Sequence, residues 1–162
     1  MRILLQRVSE AQVRWEEDQT PMMGAGLMCL VGFRDGDSVE SLEPMAEKLL
    51  NLRVFEDDAG RMNLSLLDKG LSLALVPQFT LYADCRKGRR PGFSDALAPE
   101  AASGLFDHFT RICGQRIQAM ILGRFGTDMQ VHLINDGPVT MMLDSDSLGI
   151  SPRNHAAPNH GS

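Results

Sequence analysis

Cysteine is sparse in this chain of 162 residues: Cys29, Cys85 and Cys113 are odd in number and widely spaced. With no C-x-x-C among them, neither a disulfide framework nor a zinc site is indicated. Cys29 and Cys113 fall in apolar runs and read as core residues. Cys85 borders a basic run, but no histidine stands near it in the sequence to act as a base, so a catalytic thiol is not expected. Long hydrophobic runs are missing too. The longest, such as residues 26–33 (GLMCLVGF), are far too short to span a bilayer. Residues 1–7 have neither the apolar core nor the cleavage site of a signal peptide, so the chain reads as cytoplasmic. The familiar hydrolase constellations are absent: there is no G-x-S-x-G elbow, no H-E-x-x-H and no P-loop. His108 and His132 stand without a partner motif and read as structural or surface residues. His155 and His160 lack the close, regular spacing of metal ligands. Asp128 and Asp136 could act as paired carboxylates, but turn-forming or capping roles suit them equally well. No metal and no cofactor is expected.

Positive charge is also in short supply, with a formal net charge of −5. That argues against non-specific nucleic-acid binding, and no recognition-helix motif supports a DNA-binding role. The distribution is uneven, however. Residues 1–81 carry 8 basic and 13 acidic side chains, and residues 82–162 carry 8 of each. Four of the later basic residues, Arg86, Lys87, Arg89 and Arg90, fall within five positions. An acidic protein can still bind RNA through such a patch, because phosphates are contacted locally. A solvated loop is the plainer alternative from composition alone.

What the chain does have is enough apolar material for one real core. Its length favours a single domain. Residues 3–8 and 11–15 read as strands with a break near Ser9-Glu10, and residues 16–23 as a hairpin loop. Residues 26–33 form a continuous apolar run, consistent with a buried strand. Val39, Leu42, Met45, Ala46, Leu49 and Leu50 recur at helical spacing. Pro44 conflicts with that helix, which either starts late, near Ser41, or kinks; the late start is favoured. A short strand is expected at 53–55, another at 71–76, and residues 63–67 are ambiguous. A second helix should begin near Pro99, bury Ala102, Leu105, Phe106, Phe109, Ile112 and Cys113, and stop at Gly114. Residues 117–122 are extended. With some eight strands and two helices, the class is α+β around a mixed or antiparallel curved sheet. From Ser145 the composition turns to Ser, Pro, Asn, His and Gly. Residues 145–162 are therefore expected to form a flexible or loosely docked tail after a domain spanning 1–144.

Two stretches carry the functional signal. Val76-Pro77-Gln78-Phe79-Thr80-Leu81 reads as extended, its proline marking a sheet edge or bulge. It leads into the basic run. Asn135-Asp136-Gly137-Pro138-Val139-Thr140 reads as a turn between strands at 129–134 and 139–143. With Gly123-Arg124-Phe125-Gly126-Thr127-Asp128-Met129-Gln130, these stretches closely resemble the D-aminoacyl-tRNA deacylases, whose motifs are Ser-Gln-Phe-Thr-Leu and Asn-x-Gly-Pro-x-Thr. The likeness also takes in residues 1–11, 48–57 and 62–68, in order, and covers roughly residues 1–144. Position 77 departs from it: proline stands where the family motif has serine.

The resemblance implies a small β-barrel-like fold flanked by helices, a homodimer with the active site at the subunit interface, and aminoacyl-tRNA as substrate. Catalysis in the family is attributed largely to the terminal 2′-hydroxyl of the tRNA, with backbone groups lining the site. Carried onto this chain, Gln78, Phe79 and Thr80 form the catalytic segment, the N–H groups of Phe79 and Thr80 being the oxyanion donors. Gly137 and Pro138, joined by a cis bond, project carbonyls that tolerate a D-residue and glycine but exclude an L side chain. Arg86, Lys87, Arg89 and Arg90 are the tRNA contacts. The resemblance leaves two alternatives. One is the relative that removes L-alanine from mischarged tRNA, whose first motif is Pro-Gln-Ala-Thr-Leu; this chain shares its proline but keeps Phe79. The other is a non-catalytic RNA-binding module.

Overall fold

The computed structural model describes residues 1–150. In chain order its elements are β1 (Arg2–Trp15), β2 (Asp18–Gln19), β3 (Gly26–Gly32), α1 (Val39–Leu50), β4 (Phe55–Glu56), β5 (Met62–Leu64) and α2 (Leu66–Lys69). There follow β6 (Ser72–Pro77), a 3-10 turn (Phe79–Tyr82), α3 (Pro99–Gly114), β7 (Met120–Leu122) and β8 (Gln130–Asp144). The main sheet runs β2-β1-β3-β6-β7, with β8 on the other side of β1. The β1 pairings with β3 and β8 are antiparallel, and the β3–β6 and β6–β7 pairings are parallel, so the sheet is mixed. Among the described residues no helix is long and apolar enough to cross a membrane.

Both faces of the central strands are covered. One face meets α1 and α3: Leu42, Met45, Leu49, Phe106, Phe109 and Cys113 pack with Ile3, Leu5, Leu27, Cys29, Leu73 and Leu75. A smaller cluster that includes Val8, Val13, Met28, Ala74 and Val76 lies apart from it. Burial on both sides explains why β3 reads as an unbroken apolar run rather than an alternating one. The apolar stripes of both long helices face the core as the spacing requires, except for Val39, which begins α1 and is exposed. Arg116 then ties α3 to α1, donating from Nη1 to Glu47 at 2.6 Å and from Nη2 to Glu43.

Five sequence readings change. Helix α1 starts at Val39, not near Ser41, with Pro44 inside it. Pro44 and Glu40, whose carbonyl loses its partner to the proline, both lie on the exposed face, where water can replace the missing bond. The break at Ser9-Glu10 is no break: β1 runs through it, and the register against β8 slips between Val8 and Glu10. The supposed turn at Asn135–Pro138 also lies inside one strand. On β8, Asn135 pairs with Val8 and Thr140 with Gln6, so residues 136–139 bulge out opposite Arg7 alone. Among the described residues the strand total still comes to eight, because β2 and β5 replace the two that merge.

The fourth change concerns residues 76–82. The strand ends at Pro77, and Phe79–Tyr82 coil into the 3-10 turn. Pro77 is not on a sheet edge either, since β6 lies between β3 and β7. The ladder shows why a proline fits there. Leu73 donates to Ala119 and the Leu75 carbonyl accepts from Gly123, whereas Gln78 donates to Val31. Odd residues of β6 therefore face β7, and β7 has ended at Leu122, so Pro77 omits a rung only beyond the paired strand. The fifth change is at the C-terminal side. Ser145 is buried, its N–H donates to the Met1 carbonyl at 2.9 Å, and Leu148 and Ile150 pack on the core. Residues 145–150 thus belong to the domain rather than to a tail; residues 151–162, with His155 and His160, lie outside the described residues.

Candidate active site

The 3-10 turn converts a strand-like sequence into a donor site. In a strand, alternate amides of residues 78–82 would be used in the ladder. Here Gln78 makes the last ladder bond, its N–H to the Val31 carbonyl at 2.7 Å. The turn then closes on itself, with Leu81 donating to Gln78 at 3.4 Å and Ala83 to Thr80 at 3.1 Å. The first N–H groups of any helical turn have no acceptor within it. Accordingly the N–H groups of Phe79 and Thr80 have no protein acceptor among the described residues. Both residues are exposed, Phe79 by 54%. The Gln78 side-chain amide donates to the Thr80 hydroxyl and restrains it. No side chain within this segment is a base.

Phe79 stands edge-on to Phe93, ring centroids 5.0 Å apart, and Phe93 is exposed as well. The basic run between them is a closed loop. Asp84 and Gly92 exchange both backbone bonds, at 2.7 and 2.9 Å. Within the loop, Gly88 takes a φ of +70° that few other residues adopt. Arg86 folds back onto Asp84 in a fork, Nε and Nη2 each at 2.8 Å from a carboxylate oxygen. The Arg86 side chain, then its backbone N–H, pull the Asp84 carboxyl down to about 2. The four basic residues are therefore not equivalent: Lys87, Arg89 and Arg90 have no ion-pair partner among the described residues, whereas Arg86 is already engaged.

The second motif is built on the β8 bulge. The Gly137–Pro138 peptide is cis, and both residues are exposed. Gly137 has a φ of +124°, and an added Cβ would lie 2.9 Å from an Arg7 nitrogen and from Val139 Cγ2. Only glycine fits that conformation and that space. Asn135 closes the bulge by donating from Nδ2 to the Val139 carbonyl at 3.0 Å. Within one chain the bulge and the turn are separate: no hydrogen bond, ion pair or ring contact joins Gly137 or Pro138 to Gln78, Phe79 or Thr80 among the described residues.

Arg7 is a buried charge beneath the second motif that the sequence reading passed over. Its side chain is only 7% exposed. Nη1 donates to the Val54 carbonyl at 2.7 Å and Nε to the Asp136 carbonyl at 3.2 Å, with an Asp136 carboxylate oxygen 3.3 Å away. The signal was available. Ile3, Leu5 and Arg7 share one phase of β1, and the first two are fully buried. A charge on the inward phase of a strand needs partners there. Of the remaining candidates, His132 is exposed and lies 3.5 Å from Glu10. Cys29 and Cys113 are buried, and burial pushes the Cys113 thiol up to about 12. Cys85 is exposed, and no group of three or more potential metal ligands occurs among the described residues.

Known proteins give this arrangement its context. The family model described as D-Tyr-tRNA(Tyr) deacylase matches residues 4–144. A D-aminoacyl-tRNA deacylase of Syntrophotalea carbinolica is 50% identical over 148 residues, 91% of this chain and 99% of that protein. One of Thermosipho africanus is 46% identical over the same shares. A solved structure titled c-Myc DNA Unwinding Element Binding Protein superposes with a TM-score of 0.84 at 38% identity, covering 90% of this chain and 99% of that one. A second, of a probable eukaryotic D-amino acid tRNA deacylase, shares the fold with a TM-score of 0.76 at 21% identity, covering 88% and 97%. With the family model spanning nearly all of the described residues and relatives near half identical over nine-tenths of the sequence, this chain belongs to the D-Tyr-tRNA(Tyr) deacylase family.

Proposed function

We propose that this enzyme hydrolyses the ester of D-aminoacyl-tRNA, and of glycyl-tRNA, in the cytoplasm. The observation that carries the reading is the pair of acceptor-free amides at Phe79 and Thr80 on an exposed turn. An aminoacyl ester is already labile, so two positioned donors at the developing oxyanion can replace most of the acid–base machinery that an amide bond would need. Water adds to the ester carbonyl, its proton is relayed through the terminal 2′-hydroxyl of the tRNA to the departing 3′-oxygen, and the acyl C–O bond breaks to give free amino acid and tRNA. Thr80 orients water or substrate and forms no covalent intermediate. The basic loop takes tRNA phosphates through Lys87, Arg89 and Arg90, with Arg86 contributing once it leaves Asp84.

Chiral selection belongs to the carbonyls of Gly137 and Pro138, supplied to the turn across a subunit interface. Two features support this placement. Among the described residues, no hydrogen bond, ion pair or ring contact joins the bulge to the turn of its own chain. And among the described residues β8 pairs with β1 alone, leaving its other edge open beside the exposed Ile134, Met141 and Met142, with Ile134 51% exposed. A long apolar edge of that kind is stable when another chain covers it. The pocket so formed holds little beyond the α-carbon, so it rejects an L side chain sterically and admits D-residues of many kinds.

Pro77 favours a second reading, removal of L-alanine from mischarged tRNA. A deacylation panel separates the two. With D-Tyr-, L-Tyr-, Gly- and L-Ala-tRNA, turnover of the D-Tyr and Gly esters and resistance of both L esters is expected. Rapid release of L-alanine would establish the second reading, and no turnover of any ester would leave an RNA-binding module.

A further inference from the structure

We propose that Arg2 is a positioning residue for the Phe79–Thr80 donors, fixing the far end of the 3-10 turn that carries them. The proposal rests on the functional reading above, and three contacts of one guanidinium motivate it. Arg2 Nη1 donates to the Leu81 carbonyl at 2.9 Å. Its Nε donates to Asp144 Oδ2 at 2.8 Å. Its Cζ lies 4.6 Å from the centroid of the Tyr82 ring. Leu81 and Tyr82 are the last two residues of the turn.

The two ends of the turn are held differently. The entering end is part of the sheet: Gln78 donates to Val31, and the turn lies so close on Gly32 that a Cβ there would fall 2.7 Å from the Gln78 carbonyl oxygen. The leaving end has no ladder bond: Leu81 also lies against Gly32, 3.1 Å from where a Cβ there would stand, and Tyr82 is buried, but neither contact fixes the backbone by a hydrogen bond. Its internal bonds, Leu81 to Gln78 and Ala83 to Thr80, only close the coil. Among the described residues, the Arg2 bond to Leu81 is the one side-chain hydrogen bond from outside residues 78–83 onto the backbone of the turn. Arg2 is itself fixed at both edges of its strand, paired with Gly32 on β3 and with Asp144 on β8. It therefore refers the turn to the same strand pair that bears the Gly137–Pro138 bulge.

The electrostatics fit a fixed junction. Partial burial pushes the Asp144 carboxyl up, but the bonds from Arg2 and from the Asp146 N–H outweigh it and hold the group below its ordinary value. Burial pushes the Tyr82 hydroxyl up, so the ring under the guanidinium stays neutral. A fork that bonds a carboxylate on one arm and a carbonyl on the other, over an aromatic face, is an arginine geometry that lysine cannot copy. Donors aimed at an oxyanion lose their effect with small displacements, so loosening the leaving end of the turn should act on the transition state and spare ground-state tRNA binding.

The test uses full-length Arg2→Met and Arg2→Lys with two readouts. On D-Tyr-tRNA, Arg2→Met should lower kcat roughly 10- to 100-fold with KM within about twofold, and Arg2→Lys should fall between it and wild type. Independently of turnover, amide hydrogen exchange at Leu81 and Ala83 should speed by about tenfold or more in Arg2→Met, with sheet amides such as Leu75 unchanged. Unchanged exchange at the turn overturns the proposal, as does an unchanged kcat. Equal acceleration across turn and sheet reduces Arg2 to a general stability role. If Arg2→Met does not fold, the same two readouts on Arg2→Lys decide, and wild-type behaviour in both overturns the proposal. Should the wild type itself show no turnover, the functional reading fails, while the exchange data still say whether Arg2 holds the turn.

Discussion

Arg7 shows how much a single buried charge can organise. Burying a guanidinium is costly unless its donors are satisfied, and here they are met by the carbonyls of Val54 and Asp136. One side chain thereby ties β1 to the segment before β4 and to the base of the bulge that presents Gly137 and Pro138. Arg7→Met keeps most of the aliphatic stem but orphans both carbonyls. Urea unfolding should show a loss of about 2–4 kcal/mol, the range expected when a buried charged donor is removed from its partners. Because the bulge loses its anchor, discrimination between D-Tyr- and L-Tyr-tRNA should also narrow. A variant that is destabilised yet rejects L-Tyr-tRNA as well as wild type does would detach Arg7 from selectivity. Arg7→Lys should not restore it, since a single ammonium nitrogen cannot take the places of both Nε and Nη1, from which the guanidinium fork reaches the two carbonyls.

At the scale of elements, strands end or swell where the site needs backbone groups, and the turn and the bulge are both departures from a regular sheet. The 3-10 turn frees two amides that a continued strand would have spent in part on its ladder. The bulge lifts four residues of β8 away from β1 while the strand continues on either side. Pro77 belongs to this scale. Serine at 77 would restore an N–H, but the phase of β6 directs it toward Gly123, on the β7 side. The donors at Phe79 and Thr80 belong to the next two amides beyond Gln78 and survive either residue. Pro77→Ser should therefore change D-aminoacyl-tRNA turnover by less than about tenfold, or ~1.4 kcal/mol, and leave L-substrates rejected. If the wild type cleaves L-Ala-tRNA readily and Pro77→Ser stops it, residue 77 is a specificity switch and the D-specific reading falls.

Over the whole molecule, an acidic chain must hold a polyanion. The net charge of −5 opposes tRNA at long range, so attraction has to be local and close to the chemistry. The closed loop between Asp84 and Gly92 meets that need, with three free cations and one held in reserve on Asp84. Replacing Lys87, Arg89 and Arg90 by Ala should weaken tRNA binding and reduce its salt slope by up to roughly 0.7–0.9 per lost phosphate contact. Adding Arg86→Ala should cost less than any of the three, because part of its charge is already neutralised. Binding and salt slope unchanged in the triple variant would take the loop out of the interface.

Much was legible in order along the chain. The apolar stripes at 39–50 and 102–113 gave both long helices, because helical spacing of apolar residues leaves one solution for their burial. The unbroken run at 26–33 gave a strand covered on both faces. The motif residues Gln78, Phe79, Thr80, Gly137 and Pro138 could be named before any fold was known, since each lies in a short, distinctive string. Their conformations could not. Residues 78–82 have strand composition, yet coil because β7 ends below Pro77 and the sheet offers no further partner on that side. Asn-Asp-Gly-Pro has turn composition, yet sits within one strand because β1 supplies a partner before and after it. Neither Arg7 nor Arg2 lies in a distinctive string, and the phase of β1 shows at most that Arg7 needs partners, not which ones. Only the tertiary structure brings each guanidinium to carbonyls 47 to 129 positions away in sequence, and local propensity carries no information about partners at that distance.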